Sequence, residues 1–208
     1  VTLFEDVLKN CKADEVALKS LKARLTKSRT DAKANKGAIM TGLINYARYG
    51  QKNPYNYTMS DAELNSTTAD ELVTILHNLN NYAHKILYYG PQPLAQFTAG
   101  LKTVHTIPAA FTAAPAAVKF TNAVQSKNEV LFADYNMVQS EIRWVRNSSA
   151  YAADKEPVID IFNNYFGGGM GALVFQTIRE SKALAYSTSA VYVIPGKKED
   201  PFFTTAYV

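Results

Sequence analysis

Apolar residues recur at spacings of three and four near the start of the chain. Leu3, Val7 and Leu8 open one helical pattern, and Val16, Leu18, Leu21 and Leu25 continue it, each run placing its apolar positions broadly on one side. A further helix is expected from Gly37 to Tyr49, where Ile39, Leu43, Ile44 and Ala47 recur in the same way and Gly50 and Pro54 stop the run. The next two helix starts carry chemistry of their own. "SDAE" at Ser60 to Glu63 and "TADE" at Thr68 to Glu71 both match the capping box. In that motif the hydroxyl accepts a backbone N–H left unpaired by the first turn, and the glutamate returns a bond to the cap. Leu72, Ile75, Leu76 and Leu79 then make one apolar face.

The pattern changes at "HKILYYG", His84 to Gly90, which reads as a buried strand ending at a glycine, with Tyr88 and Tyr89 on opposite sides. From Pro91 to about Thr121 there are four prolines, many alanines and no sustained strand pattern, so this stretch is expected to hold a linker, with a boundary near Phe120. Its alanines point to parts that pack against a domain. "NEVLFADYNMVQSEIRWVRN" mixes β-favouring and polar residues and predicts one or two strands. "EPVIDIFNNYFGGG" predicts a helix, with Pro157 tolerated near its first turn and Gly167 able to enter a left-handed cap. "GALVFQTIRESKA" supplies another short helix. "LAYSTSAVYVIPGKKEDPFFTTAYV" gives two strands joined as a hairpin around "PGKKEDP". The sequence ends inside the second of these, where an uncovered face and edge are aggregation hazards, so the chain is expected to be a fragment of something longer.

Composition narrows the function classes. With 47% hydrophobic residues among 208, the chain can bury a sizeable core in one large or two small domains. No run of eighteen apolar residues and no basic-then-apolar leader occurs. A soluble protein without a membrane-spanning segment is therefore expected, with periplasm and cytoplasm both open. The net charge of +4 is modest, and much of the basic excess lies in "LKSLKARLTKSRTDAKANK", which apolar positions interrupt at helical spacing. That is a solvated helix face, and no nucleic-acid partner is expected. One cysteine, Cys11, excludes an internal disulfide framework.

The usual catalytic constellations fail one by one. Neither H-E-x-x-H nor H-x-x-E-H occurs, and the three histidines, His77, His84 and His105, are separated by a change from helix to strand and by the linker. No metal site and no cofactor are expected in this chain itself, and packing or surface roles are expected for the histidines. Cys11 has no histidine near it in sequence, which argues against a nucleophile. Asn56, Asn65 and Asn147 begin N-x-[ST] triplets, which matter only in a glycosylating pathway. "GGGMG" is not a phosphate loop, because Gly171 is followed by Ala172 and no Lys-Ser/Thr pair follows. Its glycines could let two helices meet closely or let a peptide backbone approach.

A longer pattern bears on these glycines. "IFNNYFGGGMGALVFQTIRESKALAYS" through "TSAVYVI" resembles the C-terminal half of the M16 zinc metallopeptidases, the superfamily of pitrilysin, insulysin and the mitochondrial processing peptidase. The carrying features are a helix before a glycine turn, a compact helix ending in "IRE", and "LAYS" entering a sheet. "TTADELVTILHNLNNYAHKILYYG" is similar to the closing helix and strand of another domain of that family. Together these pieces cover about half the chain.

The resemblance implies an α/β (α+β) fold, part of a clamshell of repeated two-layer domains of helices and antiparallel sheet. Residues 1–105 would be the C-terminal portion of the third such domain, 106–120 a linker, and 121–208 the truncated N-terminal portion of the fourth. The zinc motif of such proteins lies in the N-terminal half, absent here, so Zn2+ is implied for the full-length assembly only. The implied partners are that half, in the same chain or as another subunit, and a peptide substrate. Arg179 and Tyr186 match residues that reach the substrate in catalytic members, and Gly167, Gly168 and Gly169 are candidate substrate-binding positions. A metalloendopeptidase part and a catalytically silent partner or peptide-binding scaffold are both compatible with the resemblance.

Overall fold

The computed structural model describes residues 2–208. They form two compact units interleaved in sequence: residues up to Asp31 with Met59–Val118, and Ala32–Thr58 with Lys119–Val208.

The first unit is helical. Helix α1 (Thr2–Asn10) buries Leu8 and, unexpectedly for an acidic residue, Glu5, while Leu3 and Val7 stay exposed. Helix α2 (Glu15–Lys33) starts at Asp14, whose carboxylate accepts from the Ala17 N–H at 2.9 Å. Of its apolar residues Leu18 is buried; Lys19, Arg24, Lys27 and Lys33 are exposed as the sequence predicts, whereas Lys22 and Arg29 are half-buried against their partners. Helix α4 (Asp61–Ser66) and helix α5 (Ala69–His77) follow helix α3 of the second unit in sequence, and both begin with a complete capping box. Ser60 Oγ accepts from Glu63 N at 3.2 Å while Ser60 N donates to Glu63 Oε2 at 2.7 Å. Thr68 and Glu71 repeat the exchange at 3.3 and 2.8 Å. Bonds from the cap's backbone N–H, then its side chain, hold both glutamate carboxyls below their ordinary range. Lys22 of α2 donates to the Asn65 and Thr67 carbonyls at 2.8 and 2.6 Å, satisfying groups left over between α4 and α5.

One expectation fails in this unit. His84–Gly90 is not a buried strand. Residues 83–89 have no ladder partner, and Leu87 and Tyr89 are fully exposed; a single parallel bridge, Tyr82 to Thr112, is the pairing nearby. β propensity needs a neighbouring strand to take up its N–H and C=O groups, and the described residues supply none here. Within the proline-rich stretch that follows, Leu94–Val104 forms helix α6 with Pro93 at its N-cap. Tyr88 stacks on Phe97 of α6 at a centroid distance of 4.0 Å, which puts Tyr88 and the exposed Tyr89 in different surroundings.

Among the described residues, the second unit holds the three strands. Helix α3 (Lys36–Tyr49) is capped by Asn35, whose Oδ1 accepts from Ala38 N, and ends at Gly50, whose φ of 81° lies in the left-handed region. Strands β1 (Arg143–Asn147), β2 (Ser189–Val193) and β3 (Phe203–Tyr207) make an antiparallel sheet in the order β1-β3-β2. The expected terminal hairpin is present, with Val191 and Val145 both opposite Thr205 on the central strand. Of "NEVLFADYNMVQSEIRWVRN", only Arg143–Asn147 is strand, and Val130, Phe132 and Val138 are exposed. Helix α7 (Glu156–Phe166) packs against β2, with Pro157 inside its first turn. The short helix expected after the glycines is α8 (Phe175–Ser181), wound with π geometry. Phe202 is completely buried, its ring 5.6 Å from that of Tyr151 and 5.7 Å from that of Tyr192. The class is α+β with an antiparallel sheet, as the sequence predicts.

Candidate functional site

The glycine turn is built by one asparagine. Asn163 of α7 turns its side-chain amide to the outer edge of β2. There Oδ1 accepts from Tyr192 N at 2.8 Å and Nδ2 donates to Tyr192 O at 2.9 Å, imitating a paired strand. Its carbonyl in turn accepts from Gly167 N at 3.1 Å and Gly168 N at 2.7 Å as the helix ends. Gly167 does not take the left-handed cap: its φ is −149°, outside the left-handed region. Close approach is what requires glycine there. A Cβ on Gly167 would stand 2.1 Å from the Ala190 carbonyl oxygen and 2.5 Å from its nitrogen. Ser189 Oγ donates to the Gly167 carbonyl at 2.9 Å, closing the contact.

Gly168 is tight for a second reason, since a Cβ there would be 2.7 Å from the Asn163 carbonyl oxygen, whereas Gly169 faces open space. The three glycines, with Met170, Phe175, Thr188 and Ser189, line an open cavity of about 210 Å³. Gln176 Nε2 donates to the Met170 carbonyl at 2.7 Å and ties the turn to α8.

The π winding of α8 carries the other candidates. The chain leaves α8 through bonds from Lys182 N to Thr177 O (3.1 Å) and Leu184 N to Ile178 O (2.9 Å), with Ala183 at φ 48°. An alanine in this region costs on the order of 1 kcal/mol, and such strain persists where surrounding structure fixes it. The reversal returns Tyr186 alongside Arg179. The Arg179 guanidinium carbon lies 4.5 Å from the Tyr186 ring centroid and 4.8 Å from that of Phe175. A cation over an aromatic face at this range is held electrostatically, by about 0.5–1 kcal/mol where solvent reaches it. Arg179 Nε also lies 3.5 Å from a Glu180 carboxylate oxygen, and Tyr186 is 82% exposed.

Phe175 is the link between the two groups: it lines the cavity with the glycines, and its ring meets the Arg179 guanidinium, which in turn meets Tyr186; Arg179 and Tyr186 do not themselves line the cavity. Sequence reasoning missed Asn163, Phe175 and Ser189. The signal for Asn163 was a polar residue three positions before the helix end in "FNNYFGGG"; the other two have no signal apart from their contacts.

Cys11 does have a histidine neighbour, hidden by a separation of 66 residues: His77 Nε2 lies 3.5 Å from its sulfur. The same nitrogen lies closer, 3.1 Å, to the Cys11 carbonyl oxygen, which can only accept, so the nitrogen carries a hydrogen and has no lone pair with which to take the thiol proton. Among the described residues no group of three or more His, Cys, Asp or Glu could hold a metal ion, and no helix is long and apolar enough to cross a membrane. The described residues therefore show no set of three protein ligands such as a catalytic zinc takes.

No protein-family profile and no curated protein matches the sequence. Among solved structures, the chain is similar to the crystal structure of a peptidase M16 inactive domain from Pseudomonas fluorescens, at a TM-score of 0.66 and 18% identity. The match covers 99% of this chain and 50% of that one. The fold is M16-like. At this identity the likeness is one of backbone architecture, and this chain spans half the length of the M16 structure it resembles.

Proposed function

We propose that the chain is a noncatalytic portion of an M16-like metalloendopeptidase, a wall of its peptide-binding chamber. In this reading residues 1–105 belong to the third domain, 106–120 to a linker and 121–208 to the fourth. The zinc that such an enzyme requires is carried by an N-terminal half, in the same chain or a partner subunit. The observation that supports the reading is the Arg179–Tyr186 pair stacked beside the glycine-lined cavity on an M16-like fold.

The chemistry available to this chain's own residues is limited and specific. Arg179 offers directed, permanently charged N–H donors, and the exposed Tyr186 hydroxyl offers one more; both suit a peptide carbonyl or the oxyanion formed from it. The stacking holds the guanidinium plane in one orientation, so fewer rotamers are lost on binding. A peptide backbone does not extend the sheet at β2 around Tyr192, because Asn163 already occupies those edge groups.

Alone, with or without added zinc, the chain is expected to cleave no peptide. Combined with an N-terminal half that supplies the zinc ligands, it should support cleavage. Arg179→Lys and Tyr186→Phe should then each lower kcat by up to about a hundredfold, the loss expected for one oxyanion donor, with melting temperature and zinc content unchanged. Steady-state kinetics of both variants, paired with thermal unfolding and metal analysis, measure this. Unaltered turnover in folded, zinc-loaded variants would remove both residues from the mechanism. The similar structure is an inactive M16 domain, which favours a second reading, a silent partner or scaffold. Saturable peptide binding without cleavage by the complete assembly would select it.

A further inference from the structure

In the first unit two imidazoles meet nitrogen to nitrogen. His84 Nε2 lies 3.0 Å from His105 Nε2, with the rings at 85° to each other. The opposite nitrogen of each ring is already committed. His105 Nδ1 is 2.8 Å from Glu5 Oε1, in a pair whose side chains are only 6% and 7% exposed. Asn80 Nδ2 donates to the other carboxylate oxygen, Glu5 Oε2, at 3.2 Å. With both oxygens of Glu5 accepting, the hydrogen of the first contact sits on His105 Nδ1. His84 Nδ1 is 2.7 Å from the Tyr82 carbonyl oxygen, which can only accept, so that nitrogen also carries a hydrogen. With Nδ1 of each ring committed in this way, the two Nε2 atoms are the ring positions left to share a single cation.

A contact of 3.0 Å between these two nitrogens is bridged either by a proton on one of them or by a metal ion bound to both. We propose that His84 and His105 form a two-nitrogen site for a borderline divalent transition cation of the copper(II) or nickel(II) class. Imidazole nitrogen binds such cations at roughly 2.0–2.1 Å, and at that radius the 3.0 Å separation subtends roughly 95° at the metal. Adjacent corners of a square or tetragonal centre have this angle. A tetrahedral centre would need the nitrogens about 3.3 Å apart, which disfavours zinc.

The supporting contacts are those of a ligating histidine pair, each ring donating its other N–H to a carboxylate or carbonyl. Lys9 Nζ donates to the Val104 carbonyl and Thr106 Oγ1 at 2.9 and 3.0 Å, pinning the residues on either side of His105. Phe111 meets the His84 ring edge-on at 6.1 Å. The described residues supply no third ligand, so water completes the shell and the cation exchanges. This site is separate from the zinc of the proposed peptidase.

The test is titration of the 208-residue chain with copper(II) or nickel(II), followed by calorimetry and, for copper, electron paramagnetic resonance. The expected result is one cation per chain with a two-nitrogen hyperfine pattern. His84→Ala and His105→Ala should each weaken binding at least about tenfold and Glu5→Gln about tenfold, while Cys11→Ser leaves it unchanged. His84 is exposed, so its variant should keep the fold, checked by circular dichroism. Absence of stoichiometric binding, or binding that survives both histidine substitutions, would overturn the proposal. So would ring nitrogen NMR showing a hydrogen held between the two Nε2 atoms under saturating nickel(II), because the gap would then belong to a proton.

Discussion

Gly167→Ala is expected to destabilise the second unit by about 3 kcal/mol, the upper range for forced overpacking. The added carbon would lie 2.1 Å from the Ala190 carbonyl oxygen and 2.5 Å from its nitrogen, both backbone atoms of β2 that cannot rotate aside. Relief would have to come from moving the end of α7 away from the strand. That movement would break the Asn163 bridge to Tyr192 and the Ser189 bond to the Gly167 carbonyl, so one methyl group disturbs several hydrogen bonds at once. Gly168→Ala should cost less, since its clash is with a single carbonyl oxygen at 2.7 Å, and Gly169→Ala should lie within about 0.5 kcal/mol of the parent because nothing stands near it. Urea unfolding of the three variants measures the order. Equal stabilities for the first and third would contradict the close-approach account of the glycine turn.

Phe202→Ala should remove about 3–5 kcal/mol, the range for deleting a fully buried aromatic ring. Phe202 is 0% exposed, and its ring stacks on Tyr151 and meets Tyr192 edge-on. Its backbone N–H donates to the Ser149 carbonyl and its own carbonyl accepts from Ser148 N, so the side chain sits where the β1–β3 pairing begins. The void left by alanine cannot be filled by Tyr192 without breaking the bond of its hydroxyl to Ser148 Oγ, made at 2.5 Å. Phe202→Leu keeps most of the volume and should cost less than half as much. Denaturant midpoints at constant slope provide the measurement. A loss below about 1 kcal/mol for the alanine variant would show that the second unit does not depend on this ring.

These two positions differ in how visible they were beforehand. The triple glycine announces a backbone constraint, but spacing could not say which of its members bears it or why. Left-handed geometry was the local expectation for Gly167, and the constraint turned out to be a contact with Ala190, a residue 23 positions further on. Phe202 belongs to a recognisable strand region, yet nothing in "DPFFTTAYV" separates it from Phe203, and only the neighbours decide that one ring is wholly buried.

What the sequence determined by itself is local. Both capping boxes, the ends of α3 and the helix before the glycines depend on interactions within a few residues, and the terminal hairpin on two adjacent strands joined by one loop, so type and spacing suffice to specify them. Tertiary structure decided everything that needs a distant partner. The β-favouring run at His84–Gly90 stays unpaired because no described strand lies beside it, and β1 exists because β3 supplies its hydrogen-bonding partners. Arg179 meets Tyr186 only after the turn through Ala183, and Glu5 meets His105 across 100 residues. Pattern reports which surface a residue prefers to bury; which other surface receives it is fixed only when the chain closes on itself.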